Sequence, residues 1–247
     1  MEIITSTANE KIKLIRKLSQ KKFRVELGLY VVEGVNILKD MPTTVLVDSF
    51  FVTEAMVEKT SDIYLKFSCS VNVVTDAVMK SISDTVSPSG LLAVIEIPKN
   101  LPREGNALVL DRVSDSGNVG TLIRTAVSAG FLNIYLINSA DVYCSKVARA
   151  SMGGIFRANL IEVCEEEALN ILANYHSVAM DMSGINIFDF TPKAPLAIVL
   201  GSESLGVSKR LMQTAENTVS LKMQNDMESL NVAVAGGIAM YELSKHF

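Results

Sequence analysis

The 247-residue chain has no tryptophan, three cysteines, two histidines and six prolines, and aromatic residues make up only 6% of it. Each shortage removes a class of function. Cys69, Cys144 and Cys164 are odd in number and include no C-x-x-C pair, so the sequence holds neither a disulfide framework nor a cysteine zinc site. They read as reduced, buried small hydrophobes. His176 and His246 have no second ligand at metal spacing, which predicts no bound metal. Long apolar runs are missing too: Val232 to Tyr241 is ten residues with two central glycines, far short of the roughly 20 that span a bilayer. The opening MEIITSTANEKIKLIRK lacks the apolar core of a secretory signal. A cytoplasmic protein with no membrane partner is the expectation.

What is present is an ordinary globular composition, 49% apolar and 20% charged, well away from disorder. At about 150 residues per domain, the length predicts one large domain or two modest ones. The formal charge is −4, but residues 1–24 carry seven Lys or Arg against Glu2 and Glu10, or +5, which leaves −9 for the rest. Overall acidity argues against nucleic acid, whereas the local basic run permits it.

Short β-branched runs predict strands near 30–32, 45–52, 71–74 and 91–97, with helices over 9–20 and 76–82. This is a small α/β unit over residues 1–97. Residues 98–105, with two prolines and a glycine, read as a linker. From 106 the alternation is regular. Strands are expected at 107–110, 133–138, 156–163, 177–180, 196–200 and 218–221. Helices are expected at 118–129, 145–152, 165–174, 208–215 and from about 229. Such a pattern predicts a parallel sheet with helices on both faces and its ligand site in the strand-to-helix loops.

Three loops stand out. In the first, Asp111 to Gly130, Asn118 occupies an N-cap position and Arg124 projects from the polar side of the helix. Arg124 either clamps a phosphate or ribose or only solvates the helix, and spacing does not choose. The second, Gly201-Ser-Glu203-Ser-Leu-Gly206, resembles a P-loop superficially, but Val207 stands where that motif needs lysine. What remains is a glycine-framed turn with one acid. In the third, Ser229 is the natural N-cap of a terminal helix whose Ala233, Ala235, Gly236 and Gly237 permit close packing.

These blocks read N-x-x-G-x-x-x-R (Asn118, Gly120, Arg124), G-S-E-x-x-G (Gly201 to Gly206) and S-L-N (Ser229 to Asn231). In this order they resemble the SpoU/TrmH family of RNA ribose 2'-O-methyltransferases, members of the SPOUT superfamily. The likeness covers about 107–245, and Ser145 to Gly153 is similar to the family's basic stretch. T-S-T-A-N-E-K-I-K and Val31-Val-Glu-Gly34 resemble the L30e-like RNA substrate-binding domain often placed ahead of the catalytic one.

The resemblance implies a C-terminal trefoil knot, a homodimer and S-adenosyl-L-methionine as methyl donor. It implies cofactor contacts at Leu200, Gly201, Gly206, Leu221, Met223 and Leu230. The catalytic set it implies is Arg124 acting on the ribose, with Asn118, Glu203, Ser229 and Asn231. RNA contacts are expected from Lys11, Lys13, Arg16, Lys21, Lys22, Arg24, Lys146, Arg149 and Arg157, with ribosomal RNA favoured over transfer RNA. A catalytically silent RNA-binding homologue is the alternative function. The chain departs from the family pattern at Ser116, Ser204, Lys222 and Asn225, which bears on loop conformation and substrate choice.

Overall fold

Valine, isoleucine and leucine without alternation favour extended backbone covered on both faces, and the C-terminal half folds accordingly. The computed structural model describes residues 3–225 and 227–247. The chain forms two compact units, the first running to Lys99 and including Tyr143–Phe156, the second made of Asn100–Val142 and Arg157–Phe247.

In the first unit the elements are β1 (Ile3–Ile4), α1 (Glu10–Lys17), α2 (Lys21–Leu27), β2 (Leu29–Glu33), α3 (Val35–Lys39), β3 (Val47–Thr53), α4 (Ser61–Tyr64), β4 (Ser70–Val74), α5 (Asp76–Ile82) and β5 (Leu91–Glu96). Their sheet runs β1-β4-β3-β5-β2, parallel from β1 to β3, with β5 antiparallel to both β3 and β2. Asn9 caps α1 by accepting from the Lys11 N–H at 2.9 Å. Helical spacing then points Ile12, Ile15 and Leu18 at Val78, Met79 and Ile82, over the sheet residues Phe51, Val74, Leu92 and Val94. Each such side chain, fully buried, contributes about 1.5–3 kcal/mol. The short helices α2, α3 and α4 were not expected, because their few residues show no periodicity.

The second unit holds β6 (Ala107–Asp111), α6 (Ser116–Ser128) and β7 (Asn133–Ile137). Next in the chain, α7 (Ser145–Ala150) folds with the first unit, where the Tyr143 ring meets Tyr30 at 4.9 Å and the Ser145 hydroxyl donates to Asp84. The sequence had grouped this stretch with the catalytic half. The chain continues through β8 (Asn159–Glu162), α8 (Glu165–Leu172), β9 (His176–Asn186), β10 (Leu196–Gly201), α9 (Lys209–Thr214), β11 (Asn217–Ser220) and α10 (Val232–Ser244).

All six strands are parallel, ordered β11-β9-β10-β6-β7-β8. Helices cover both faces. On one, Ala168 and Leu172 of α8 and Leu211 of α9 pack with Val109, Tyr135 and Val199. On the other, α10 lies so close that a Cβ on Gly236 would stand 2.5 Å from Leu200 Cδ1 and 2.6 Å from Leu122 Cδ2.

Two expectations need correction here. The strand foreseen at 177–180 runs on to Asn186, because Asp181 turns locally onto Ser183 and the chain then rejoins β11 beside Gly184. The cysteines are not a buried set: Cys69 and Cys144 are half-buried and Cys164 is exposed at the start of α8, although all three are free thiols.

Candidate active site

The loops at the carboxyl ends of β6 and β10 meet the start of α10. At the end of β6, Asp111 is buried and Arg112 turns back on it, Nε to Oδ1 and Nη2 to Oδ2 both at 3.0 Å. Arg112 adopts a φ of 59°, the left-handed region that side chains disfavour. The same guanidinium donates to the Gly206 carbonyl at 3.2 Å, and the Asp111 carboxylate also accepts the Ser208 N–H at 2.7 Å. One ion pair thus grips both sides of the glycine-framed loop. The paired carboxylate raises the Arg112 pKa, through its hydrogen bond first and its charge second. Sequence reasoning gave Asp111 and Arg112 no role; an Asp-Arg pair leaving a buried strand was the signal available.

Within that loop, Gly206 N–H donates to the Ser202 carbonyl at 2.9 Å, and Gly206 itself takes a φ of 65°. Gly201 and Gly206 touch backbone to backbone, since a Cβ on Gly201 would fall 2.0 Å from the Gly206 carbonyl carbon. Glu203 is carried outward at the exposed tip.

Asp115, not Asn118, is the N-cap of α6: its carboxylate accepts the Asn118 N–H at 2.9 Å. Asn118 therefore lies inside the first turn with its side chain free for other work. It donates to Glu203 Oε1 at 2.5 Å and accepts from Asn231 Nδ2 at 3.0 Å. Asn231, rather than Ser229, caps α10, its Oδ1 accepting from Ala233 N–H at 2.9 Å and Val234 N–H at 3.4 Å. The structure so joins Asn118, Glu203 and Asn231 in one hydrogen-bonded chain. It leaves Ser229 exposed, with no hydrogen bond among the described residues.

Arg124 lies six residues beyond Asn118 on α6, about 9 Å of rise and some 120° around the axis, so it does not join the chain. It is exposed, and its guanidinium has no partner among the described residues. Between β11 and α10, residues 221–225 and 227–231 form neither helix nor strand; Leu221 is buried, Met223 half-buried and Leu230 39% exposed. Asn225 takes a φ of 57°. Left-handed backbone suits glycine first and asparagine next, which accounts for asparagine at this position.

Of the expected RNA contacts, only Arg157 belongs to the second unit. Lys11 donates to Asn72 and Lys13 pairs with Glu10, both at 2.7 Å, while Arg16 holds the Ser81 carbonyl at 3.2 Å. Lys21, Lys22 and Lys146 are exposed. Arg24 is not on this surface: it is 5% exposed, and Nη1 donates to the Leu18 carbonyl at 2.5 Å, stitching α1 to α2. His176 is structural. It accepts the Lys193 N–H at Nδ1 and stacks on Phe190 at 5.8 Å.

Residues 105–241 match the SpoU rRNA Methylase family, and residues 9–93 match the MRM3-like substrate binding domain. The chain is 26% identical over 250 residues to the 23S rRNA (guanosine(2553)-2'-O)-methyltransferase RlmP of Bacillus subtilis, spanning 98% of this chain and 99% of that protein. It is 28% identical over 257 residues to an uncharacterized tRNA/rRNA methyltransferase of Synechocystis, covering 97% and 92% respectively. The crystal structure of an AdoMet-bound rRNA methyltransferase from Sinorhizobium meliloti superposes with a TM-score of 0.88 at 27% identity, over 99% of this chain and 98% of that one.

Proposed function

The chain belongs to the SpoU rRNA methylase family, and we propose that Arg124 and the Asn118–Glu203–Asn231 chain form the site at which it methylates ribosomal RNA. It is an RNA 2'-O-ribose methyltransferase that uses S-adenosyl-L-methionine. One observation carries the assignment of the site. Three loops far apart in sequence, each holding one motif, converge through the hydrogen bonds of Asn118 to Glu203 and Asn231.

The loops suit a nucleoside donor. Residues 221–225 and 227–231 leave backbone groups outside any helix or strand, Leu221 and Leu230 supply apolar surface, and the bare Gly201–Gly206 turn admits close approach. Leu200, Gly201, Gly206, Leu221, Met223 and Leu230 would hold the cofactor, which when bound supplies an electrophilic methyl group. The chain's own residues do the rest. Asn118, fixed by its two partners, holds the Glu203 carboxylate in one orientation. A ribose hydroxyl ionises far above neutral pH, so developing alkoxide must be stabilised. Arg124, too weak an acid to serve as a free base, orients that hydroxyl and stabilises the charge, and a phosphate oxygen of the RNA takes the proton. Alignment supplies most of the acceleration.

A second copy of the chain completes this arrangement. α10 buries one face against α6 yet exposes Val234, Ile238 and Tyr241 at 51%, 36% and 56%. These lie at i, i+4 and i+7, a continuous apolar stripe. Two such stripes packed together bring Arg124 close to the shared interface, because the adjoining Thr125 already lies against Gly237 of α10. The knotted path, the cytoplasmic location and an RNA-binding role for the exposed cations of the first unit belong to the same proposal.

Methyl incorporation into ribosomal RNA from labelled S-adenosyl-L-methionine tests it. Arg124→Ala should lose turnover at least 100-fold while calorimetry shows cofactor affinity intact; undiminished turnover would sink the assignment.

A further inference from the structure

Glu33 ends β2 with a buried carboxylate on which three donors converge. The Ser83 hydroxyl stands at 2.7 Å, and the Thr85 hydroxyl and the Ser89 N–H each at 3.2 Å. The carboxylate is thereby satisfied and serves to hold the 83–89 loop. That loop, α3 and α7 line an open cavity of about 350 Å³. Arg149 of α7 lines the cavity without pairing with Glu33. Its Nη1 is buried and has no hydrogen-bond partner. Ile37 and Met152 form apolar walls, and Asn36 and Ser87 at the mouth keep uncommitted side chains.

An unpartnered buried cationic donor is costly to keep unless something comes to meet it. The surroundings indicate what. Met152 is held at a φ of 45° and stays 49% exposed over the cavity. Residues held in such sparsely populated backbone regions recur at ligand clamps. The volume lies in the range of ligand pockets, about 300–1,000 Å³. Lys146 is exposed one helical turn before Arg149 on the same face of α7, so positive charge leads into the cavity. Single-stranded RNA is read through unstacked bases laid on flat or apolar side chains with cations on the phosphates.

We propose that this cavity binds one unpaired nucleotide of the substrate RNA, its base against Ile37 and Met152 and a phosphate oxygen on Arg149. The inference deepens the RNA-methylating reading and rests on it. It makes part of the methylase segment, residues 143–156, a wall of the substrate-binding unit, with Arg149 holding the bound nucleotide by its phosphate.

Filter binding of the full chain to a 23S ribosomal RNA transcript, between 50 and 300 mM salt, separates the contributions. Arg149→Met should weaken binding about tenfold and lower the slope of log affinity against log salt by about 0.7, the value of one single-strand phosphate contact. Met152→Ala should weaken binding several-fold with the slope unchanged, because it removes packing and no charge. Both variants should keep the wild-type thermal midpoint and cofactor affinity. Wild-type binding by both overturns the proposal, as does an Arg149→Met defect that reflects unfolding while Met152→Ala binds normally. RNA that binds wild-type protein without being methylated would instead defeat the assigned activity and leave the cavity standing.

Discussion

Alanine at position 201 would put a methyl carbon 2.0 Å from the Gly206 carbonyl carbon and 2.2 Å from both the Gly206 oxygen and the Val207 nitrogen. Ordinary contact begins at 3.4 Å, so the loop must open by 3.4 − 2.0, about 1.4 Å. A flexible side chain could swing aside; these atoms are backbone. They are pinned by the Arg112 guanidinium on the Gly206 carbonyl at 3.2 Å and by Ser208 N–H on Asp111 at 2.7 Å. Forcing an extra carbon into such a site costs about 1–3 kcal/mol. For a chain of this length each kcal/mol lowers the melting temperature by about 2–4 °C, so Gly201→Ala should melt about 2–12 °C lower. A displacement of about 1 Å beside a reacting group costs on the order of 100-fold in rate, so methyl incorporation should fall at least that far and cofactor affinity should weaken. Gly237→Ala is the control: its Cβ meets only Thr125 Cγ2, at an ordinary 3.6 Å, and a helical glycine replaced without strain gains about 0.4–1 kcal/mol. Differential scanning calorimetry and labelled-methyl transfer read both variants. Gly201→Ala matching wild type in melting and turnover would refute the closed-loop reasoning.

Arg112→Ala strands the Asp111 carboxylate with one donor, Ser208 N–H, and should cost about 1–3 kcal/mol by urea denaturation along with a raised KM for the cofactor. Ile238→Glu places charge in the exposed stripe of α10; sedimentation should show the wild type as a dimer and the variant as a monomer, and a wild-type monomer would contradict the proposed assembly. The Arg210 guanidinium, bonded to Glu166 at 2.6 Å, holds that carboxyl below its ordinary 4.5, through its hydrogen bond first, with a backbone N–H and then the guanidinium charge adding to it. A lowered folded-state pKa contributes stability above the ordinary value and loses it as pH falls through the lowered one. Removing the guanidinium with Arg210→Ala should therefore flatten the acid limb of stability below the ordinary carboxyl value, and an unchanged limb would count against the pair.

How far the sequence was legible depends on the scale of the feature. Parallel strands were readable because burial on both faces imposes short unbroken apolar runs such as Ala107–Leu110 and Leu196–Leu200, bounded by turn residues. Helix starts were less so. Ser, Asp and Asn all cap well, so Asp115 and Asn118 competed for one helix and Ser229 and Asn231 for another, and only the three-dimensional convergence of Asn118 with Glu203 decided which side chain was spared. α2 was hidden by its charges. Arg24, one of seven cations in the first 24 residues, turns inward to the Leu18 carbonyl, and no periodicity distinguishes it from its solvated neighbours. Cys164 fell outside expectation for a related reason: a cysteine preceding Glu165-Glu-Glu167 is at a helix cap, where Glu167 accepts its N–H at 2.8 Å, not in a core.

The composition of the first unit has a consequence for synthesis on the ribosome. That unit includes Tyr143–Phe156, so its fold cannot be finished when Lys99 leaves the exit tunnel. Translation must continue through β6, α6 and β7, whose own sheet still lacks its later strands. Both units are therefore incomplete together for part of elongation, and a nascent chain stalled near Lys99 should be open to proteases over β2 and the 83–89 loop, the surfaces that Tyr143, Ser145 and Arg149 later meet.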